Sequence, residues 1–280
     1  MFFIIGKLPF PILYLISDFL SFILLYIIKY RVNIVERNLK LSNLTLNESE
    51  IKSIKKKFYS HFCDIYLEMI KLDSLNEIGI KKRLNVVNSE LANDFLKQGK
   101  SVILMVSHYG GYEWCTALDY FFSHKVAAIY TPLKDKELDE LTTVSRARHG
   151  MKLISRYTAL NDIRELEASD QKYIYGFMAD QSPQIRKINY WSNFLGVEVP
   201  VFTGAERMAK ELDIPLIFAK MSKIGRGKYQ MKLKLISEKP KEINDFEITE
   251  KYLRLVEDQI YEKPDYYFWT HNRFKHQRTN

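Results

Sequence analysis

The stretch Lys100-Ser-Val-Ile-Leu-Met-Val-Ser-His108-Tyr-Gly-Gly-Tyr-Glu113-Trp114 decides the fold class. Val102 to Val106 is an unbroken apolar run of strand length, as expected for a strand covered on both faces. Gly110 and Gly111 then allow a sharp turn and a close approach of substrate to the backbone. A helix is expected from about Tyr112 to Ser123. A buried strand, a glycine turn and a helix form the opening unit of an α/β layer.

The same alternation continues on both sides. Upstream, Thr45 and Glu48 fit a capping box, and Ile51, Ile54, Phe58, Phe62, Ile65 and Met69 mark one face of a helix. Ser89 is placed to cap a short helix reaching Gln98, with Gly99 ending it. Downstream, strands are expected at Val126–Tyr130, Tyr173–Ala179, Pro215–Met221 and Tyr229–Ile236. In the last of these Met231, Leu233 and Leu235 share the face opposite its lysines. Helices are expected at Lys134–Arg148, Thr203–Leu212 and Glu247–Tyr261. The pattern implies an α/β fold with a mixed, mostly parallel sheet flanked by helices and preceded by a hydrophobic anchor helix.

That anchor is the apolar stretch from Leu8 to Ile28, about 21 residues, near the length that spans a hydrocarbon core. Asp18 is its one charge; Lys7 precedes it, and Lys29 and Arg31 close it. No small-residue cleavage site follows, which argues against a removed signal peptide. Basic residues crowd the flank to Lys57, so the positive-inside rule puts the bulk of the chain in the cytoplasm. Pro9, Pro11 and Asp18 leave an interfacial helix as the alternative to a full span. Tyr14, Tyr26 and Tyr30 suit a membrane interface.

Of 280 residues, 46% are hydrophobic and 27% charged, a globular composition that excludes a mostly disordered chain. The net charge of +8 favours acidic partners such as phospholipid headgroups, phosphorylated substrates or an acidic protein. Nucleic acid would also suit the charge, but it explains neither the apolar N-terminus nor the histidine segment. Cys63 and Cys115 are the two cysteines. They suggest neither a disulfide framework nor a cysteine-rich metal site.

The chemistry centres on His108 and Glu113. His108 follows the end of a strand, where open α/β sheets place ligands. Glu113 falls in the first turn of the next helix, where the dipole favours a carboxylate. A charged Glu113 beside the imidazole would fix its tautomer and stabilise the imidazolium formed on proton removal. A core histidine and a capping glutamate would give the same short pattern. Asp180 and Gln181 end a strand and suit either lining the site or holding its loop. Arg146, Arg148, Arg186 and Lys187 suit phosphates or an acidic protein. His61, His124, His149 and His276 read as background, and His271 as a packing or headgroup residue. No serine or cysteine sits in a nucleophile elbow, which disfavours a covalent enzyme intermediate.

The sequence resembles the bacterial lipid A late acyltransferases, within the wider glycerolipid acyltransferase superfamily. Their signature is a histidine, four residues and an acid, here His108 and Glu113. Four further blocks carry the resemblance along nearly the whole chain. They are Leu15-Ile-Ser-Asp-Phe-Leu with Lys29-Tyr-Arg-Val-Asn-Ile-Val-Glu-Arg-Asn-Leu, then Phe177-Met-Ala-Asp180-Gln181, then Asn193-Phe-Leu-Gly196 to Thr203-Gly204, then Trp269-Thr-His271-Asn-Arg273-Phe-Lys275. Arg146, Arg148 and Gly150 match a further Arg-rich, Gly-ending block. Thr131 stands where relatives often carry an arginine, and Asn272 and Phe274 replace an arginine and a tryptophan.

The resemblance implies a membrane anchor over residues 1–30 and an acyltransferase domain over 31–280, at the cytoplasmic side of a bacterial inner membrane. It implies transfer of a fatty acyl chain from an acyl thioester to a hydroxyl of a lipid A precursor or related envelope lipid. The donor would be acyl carrier protein or acyl-CoA, with no cofactor and no metal. His108 would be the general base oriented by Glu113. Gly110, Gly111, Arg146, Arg148, Asp180 and Gln181 would bind substrate, with N–H groups of the glycine turn or a nearby arginine facing the oxyanion. A different acceptor, hydrolysis of the thioester, or a non-catalytic lipid-binding protein are the alternatives.

Overall fold

The computed structural model describes residues 2–132 and 135–278, so Lys134, the expected start of one helix, lies outside the described residues. A seven-stranded sheet organises the chain, in the order β1-β9-β8-β2-β5-β3-β4. The strands are β1 Leu84–Val87, β2 Val102–Val106, β3 Lys125–Tyr130, β4 Lys152–Ser155, β5 Tyr173–Met178, β8 Leu216–Gly225 and β9 Lys228–Ser237. β2, β3, β4, β5 and β8 run parallel; β9 turns back antiparallel on β8, and β1 runs parallel to β9. A separate antiparallel ribbon pairs β6 Tyr190–Phe194 with β7 Val197–Val201. The sheet is therefore mixed and mostly parallel.

Every residue of β2 is buried, as its unbroken apolar run requires. Its alternate side chains feed two cores. Ile103 and Met105 join the core under α9 Gly204–Leu212 and α10 Glu247–Glu262. Val102, Leu104 and Val106 join the opposite core, with Trp114, Cys115 and Leu118. Cys63 and Cys115 are both free and buried.

Helices α1 Phe2–Lys7, α2 Phe10–Phe22, α3 Val32–Leu41 and α4 Glu48–Leu72 precede the sheet. The short α5 Glu77–Lys81 and α6 Glu90–Lys97 flank β1, while α7 Lys136–Ala147 and α8 Ala159–Glu167 flank β4. The capping box of α4 is made by Asn47 and Glu50, not Thr45 and Glu48: Asn47 Oδ1 accepts from Glu50 N (3.0 Å) and Glu50 Oε2 from Asn47 N (2.8 Å). Both pairs have the required spacing, but Thr45 sits at φ +53° and is spent on the loop. Ser89 precedes α6 without a side-chain cap bond. Gly99, at φ +74°, ends it as expected. The helix expected from about Tyr112 is present over Tyr112–Tyr120, as tight 3-10 turns kinked at Ala117.

The alternation in β9 holds for Met231 and Leu233, but Leu235 is 40% exposed while Ile236 is buried. A register irregularity opposite Leu216 and Ile217 shifts the pleat there. β1, β4, β6 and β7 were not apparent in the sequence, because each is short and interleaved with polar residues.

The apolar N-terminus is interrupted at Leu8-Pro9, and its helical part is α2 continued by a π turn at Ile23–Ile27. Phe10–Ile27 spans 18 residues with mean hydropathy 2.0 and is 17% buried. By length and composition it can cross a membrane. One face nevertheless packs along α4: Leu13 and Ser17 are fully buried, whereas Leu15, Phe19 and Ile27 are 70%, 65% and 65% exposed.

Candidate active site

β2 and β5 are neighbouring parallel strands in which Val106 pairs with Met178. Two residues past each partner lie His108 and Asp180, so the register brings their side chains together at the carboxyl edge of the sheet. His108 Nδ1 lies 2.8 Å from Asp180 Oδ1, and Asp180 Oδ2 accepts the His108 backbone N–H at 3.2 Å. Asp180 is fully buried, while the His108 side chain keeps 21% exposure. A carboxylate only accepts, so Nδ1 carries the proton and Nε2 presents its lone pair. Among the described residues Nε2 has no hydrogen-bond partner.

Burial pulls the His108 pKa down, but the Asp180 carboxylate and, less strongly, Glu113 outweigh it and leave the imidazole above its ordinary value. Burial likewise pushes Asp180 up, and the His108 ring and nearby backbone N–H groups reverse this to a net fall. Tyr112 and Phe268 flank the imidazole at centroid distances of 5.3 and 5.9 Å. Phe268 also donates its N–H to the His108 carbonyl at 3.1 Å.

The expected contact between His108 and Glu113 is not the one the fold makes. Glu113 is 5% exposed and its Oε1 pairs with Arg146 Nη2 at 3.3 Å. The tight turn after Gly111 carries Glu113 along the cavity wall towards α7, while Asp180 takes the orienting position. The glycines make the sharp turn expected of them, but their close neighbours are parts of the protein. Gly110 has φ +57° and donates to the Tyr266 carbonyl at 3.0 Å. A Cβ at Gly111 would lie 2.6 Å from the Tyr229 ring, so the close approach at Gly111 is to the protein's own interior.

His108, Glu113, Arg146 and Gln181 line a cavity of about 1080 Å³. One wall is the sheet itself. Leu104, Gly176, Ala128 and Leu153 are successive register partners across β2, β5, β3 and β4, and all four line the cavity. Gly176 and Ala128 leave a trough between the two leucines. Arg156 and Arg207 line the cavity as well, and neither has an acidic partner among the described residues. Arg148 is exposed beyond α7 and is not a lining residue, and Arg186 and Lys187 sit exposed on the short turn Ile185–Lys187. Asp180 is not itself a lining residue, and its carboxylate touches the lining residue His108.

The C-terminal segment straps the distant sequence blocks together. Asn38 donates to the carbonyls of Trp269 and His271, both at 2.8 Å. His271 Nε2 accepts the Ser182 N–H at 3.1 Å, and Arg273 reaches Ser182 and the Pro200 carbonyl. Burial lowers the His271 pKa to about 4, which suits an acceptor that stays neutral.

Residues 1–276 match the bacterial lipid A biosynthesis acyltransferase family. The chain belongs to this family. It is also similar to the lipid A biosynthesis lauroyltransferase of Escherichia coli (strain K12), at 23% identity over 276 residues covering 97% of this chain and 88% of that protein. The protein is accordingly an acyltransferase. No local pattern marks Arg156 and Arg207, which the fold collects at the cavity. His61, which reads as background in the sequence, is 3% exposed and meets the Gly110 carbonyl. The Asp180 contact was readable in principle from two strands ending at matched positions.

Proposed function

We propose that this acyltransferase moves a fatty acyl chain from an acyl thioester, carried by acyl carrier protein or coenzyme A, to a hydroxyl of a lipid A precursor or related envelope lipid. His108 Nε2 takes the hydroxyl proton as the oxygen attacks the thioester carbonyl. The tetrahedral adduct collapses by breaking the C–S bond, and the proton passes from His108 to the departing sulfur. The products are an ester and a free thiol, with nothing oxidised or reduced. Asp180 holds the tautomer and steadies the transient imidazolium. Glu113 adds negative potential and, with Arg146, shapes the wall.

The observation that carries this reading is the Nδ1 contact of His108 with buried Asp180, which leaves Nε2 free at a large cavity. The trough over Gly176 and Ala128 suits an acyl chain, and Arg156 with Arg207 suits the phosphate of a lipid acceptor. The exposed apolar face of α2 supports attachment at the cytoplasmic side of the inner membrane. Residues 1–30 would act as the attachment segment and residues 31–280 as the acyltransferase unit. Purified protein given acyl-loaded carrier and a lipid A precursor should yield an acceptor one acyl mass heavier, read by mass spectrometry. His108→Ala should abolish that product without changing the far-ultraviolet circular dichroism. Near-normal turnover in that variant would exclude the general-base role.

A further inference from the structure

The Gly110–Gly111 turn is held from behind by a buried polar chain that the mechanism above does not use. His61, on α4, lies with Nε2 3.2 Å from the Gly110 carbonyl and Nδ1 3.1 Å from Lys223 Nζ. An ammonium only donates, so Nδ1 accepts and Nε2 carries the hydrogen given to Gly110. Burial and the Lys223 charge hold His61 well below its ordinary pKa, which keeps the ring neutral and this tautomer fixed.

Lys223 continues to Asp64 Oδ2 at 3.2 Å. Asp64 is 1% exposed and also takes Arg226 Nη2 and the Ser17 hydroxyl, each at 2.7 Å. Arg226 forks onward to Asp18 at 2.6 and 3.0 Å. Ser17 and Asp18 belong to α2, so the chain runs from the apolar N-terminal helix to the catalytic turn. A second branch ends on the other glycine. Glu68 accepts from Tyr14 of α2 at 3.1 Å and from Trp114 and Tyr229 at 2.9 Å each, and the Tyr229 ring backs Gly111.

The Gly110 carbonyl and the Gly111 N–H belong to one planar trans peptide, so they point in opposite directions. Fixing the oxygen at His61 therefore fixes the N–H, and the bond to the oxygen polarises it as a donor. Among the described residues no acceptor takes the Gly111 N–H. Burying the carboxylates of Asp64 and Glu68 to hold one loop is costly unless their geometry matters.

We propose that His61 is a positioning residue for acyl transfer, holding the Gly110–Gly111 peptide so that its N–H meets the oxyanion of the tetrahedral adduct, and that α2 completes this support through Ser17 and Asp18. This rests on the reading of His108 as the general base. It gives the N-terminal helix a part in turnover separate from membrane attachment.

The test uses the full chain, with kcat and donor KM measured in detergent micelles and sedimentation measured on membranes before detergent is added. His61→Leu removes the donor and fills the space, and should lower kcat roughly 10- to 100-fold with donor KM within about twofold. His61→Gln offers an amide N–H to the same carbonyl and should regain about tenfold of that loss. Ser17→Ala/Asp18→Asn should cut kcat roughly 3- to 10-fold while the protein still sediments with membranes. A wild-type kcat in His61→Leu, or equal losses in the leucine and glutamine variants, overturns the proposal. Should His61→Leu fail to fold, the α2 double variant decides, and an unchanged kcat there overturns it. Turnover surviving in His108→Ala overturns both readings, whereas a dead His108→Ala beside an active His61→Leu removes this one alone.

Discussion

His108 and Asp180 each stand two residues past a registered pair, Val106 and Met178, on adjacent parallel strands, and their side chains meet at 2.8 Å. The relationship is built into the sheet, so the imidazole is oriented by backbone register and not by a mobile loop. The base form of His108 is the neutral one, and Asp180 holds its pKa above the ordinary value. Turnover should therefore fall as pH drops through that raised pKa. Asp180→Asn removes the largest raising influence, so the acid limb of the pH–rate profile should move to lower pH. The plateau should fall roughly 10²- to 10⁴-fold as the tautomer is lost. An acid limb that stays in place would show that Asp180 does not set the titration.

Glu113 and Arg146 form a second electrostatic control with opposite signs on His108. The Glu113 carboxylate raises the imidazole pKa and the Arg146 guanidinium lowers it. Glu113→Gln should shift the acid limb down, and Arg146→Gln should shift it up. Both shifts should be smaller than that of Asp180→Asn, because Asp180 alone is hydrogen-bonded to the ring. Shifts of the same sign in the two variants would refute this assignment.

The alternating elements, the buried β2 run and the strand-end position of His108 were all legible in the sequence, since they depend on local pattern. The partner of His108 was less so, because Glu113 is five residues away while Asp180 is brought close only by β5 inserting between β2 and β3. Arg156 was hidden for the same reason. Its guanidinium lies 3.5 Å from the Thr131 hydroxyl, since Tyr130 and Ser155 are register partners on β3 and β4. The arginine absent at position 131 is thus matched in space from the neighbouring strand. His61 gave no local signal, as its partners come from positions 110 and 223.

The trough across the sheet predicts that Gly176 sets the acyl length the cavity accepts. A Cβ there would sit 3.7 Å from the Ala128 Cβ, an ordinary contact, so Gly176→Ala should be tolerated. Gly176→Leu would fill the trough between Leu104 and Leu153. It should raise the preference for short over long acyl donors roughly tenfold. Competition between donors of different length, read by product mass, checks this. An unchanged chain distribution would place the acyl chain elsewhere in the cavity.

Arg156 and Arg207 should recognise the anionic group of the acceptor. Arg156→Gln and Arg207→Gln should each raise acceptor KM roughly 3- to 10-fold and flatten its dependence on ionic strength. Donor KM should stay within about twofold. A rise in donor KM instead would assign the arginines to the phosphate of the carrier's prosthetic arm. Comparing phosphorylated and dephosphorylated acceptors separates the two, since the penalty should vanish with the acceptor phosphate.

The two faces of α2 should separate attachment from turnover. Leu15 and Phe19 project from its exposed face, whereas Ser17 is buried against α4 and bonded to Asp64. Carboxylates on the exposed face oppose insertion into a bilayer without disturbing that contact. Leu15→Glu/Phe19→Glu should therefore move the protein from the membrane pellet to the supernatant, while kcat in detergent stays within about twofold of wild type. Deleting residues 1–28 should release the protein too, but it also removes Tyr14, Ser17 and Asp18 and should depress kcat. If the double glutamate variant remains membrane-bound, attachment lies on another surface. If it loses turnover in step with the deletion, the exposed face also contributes to the site.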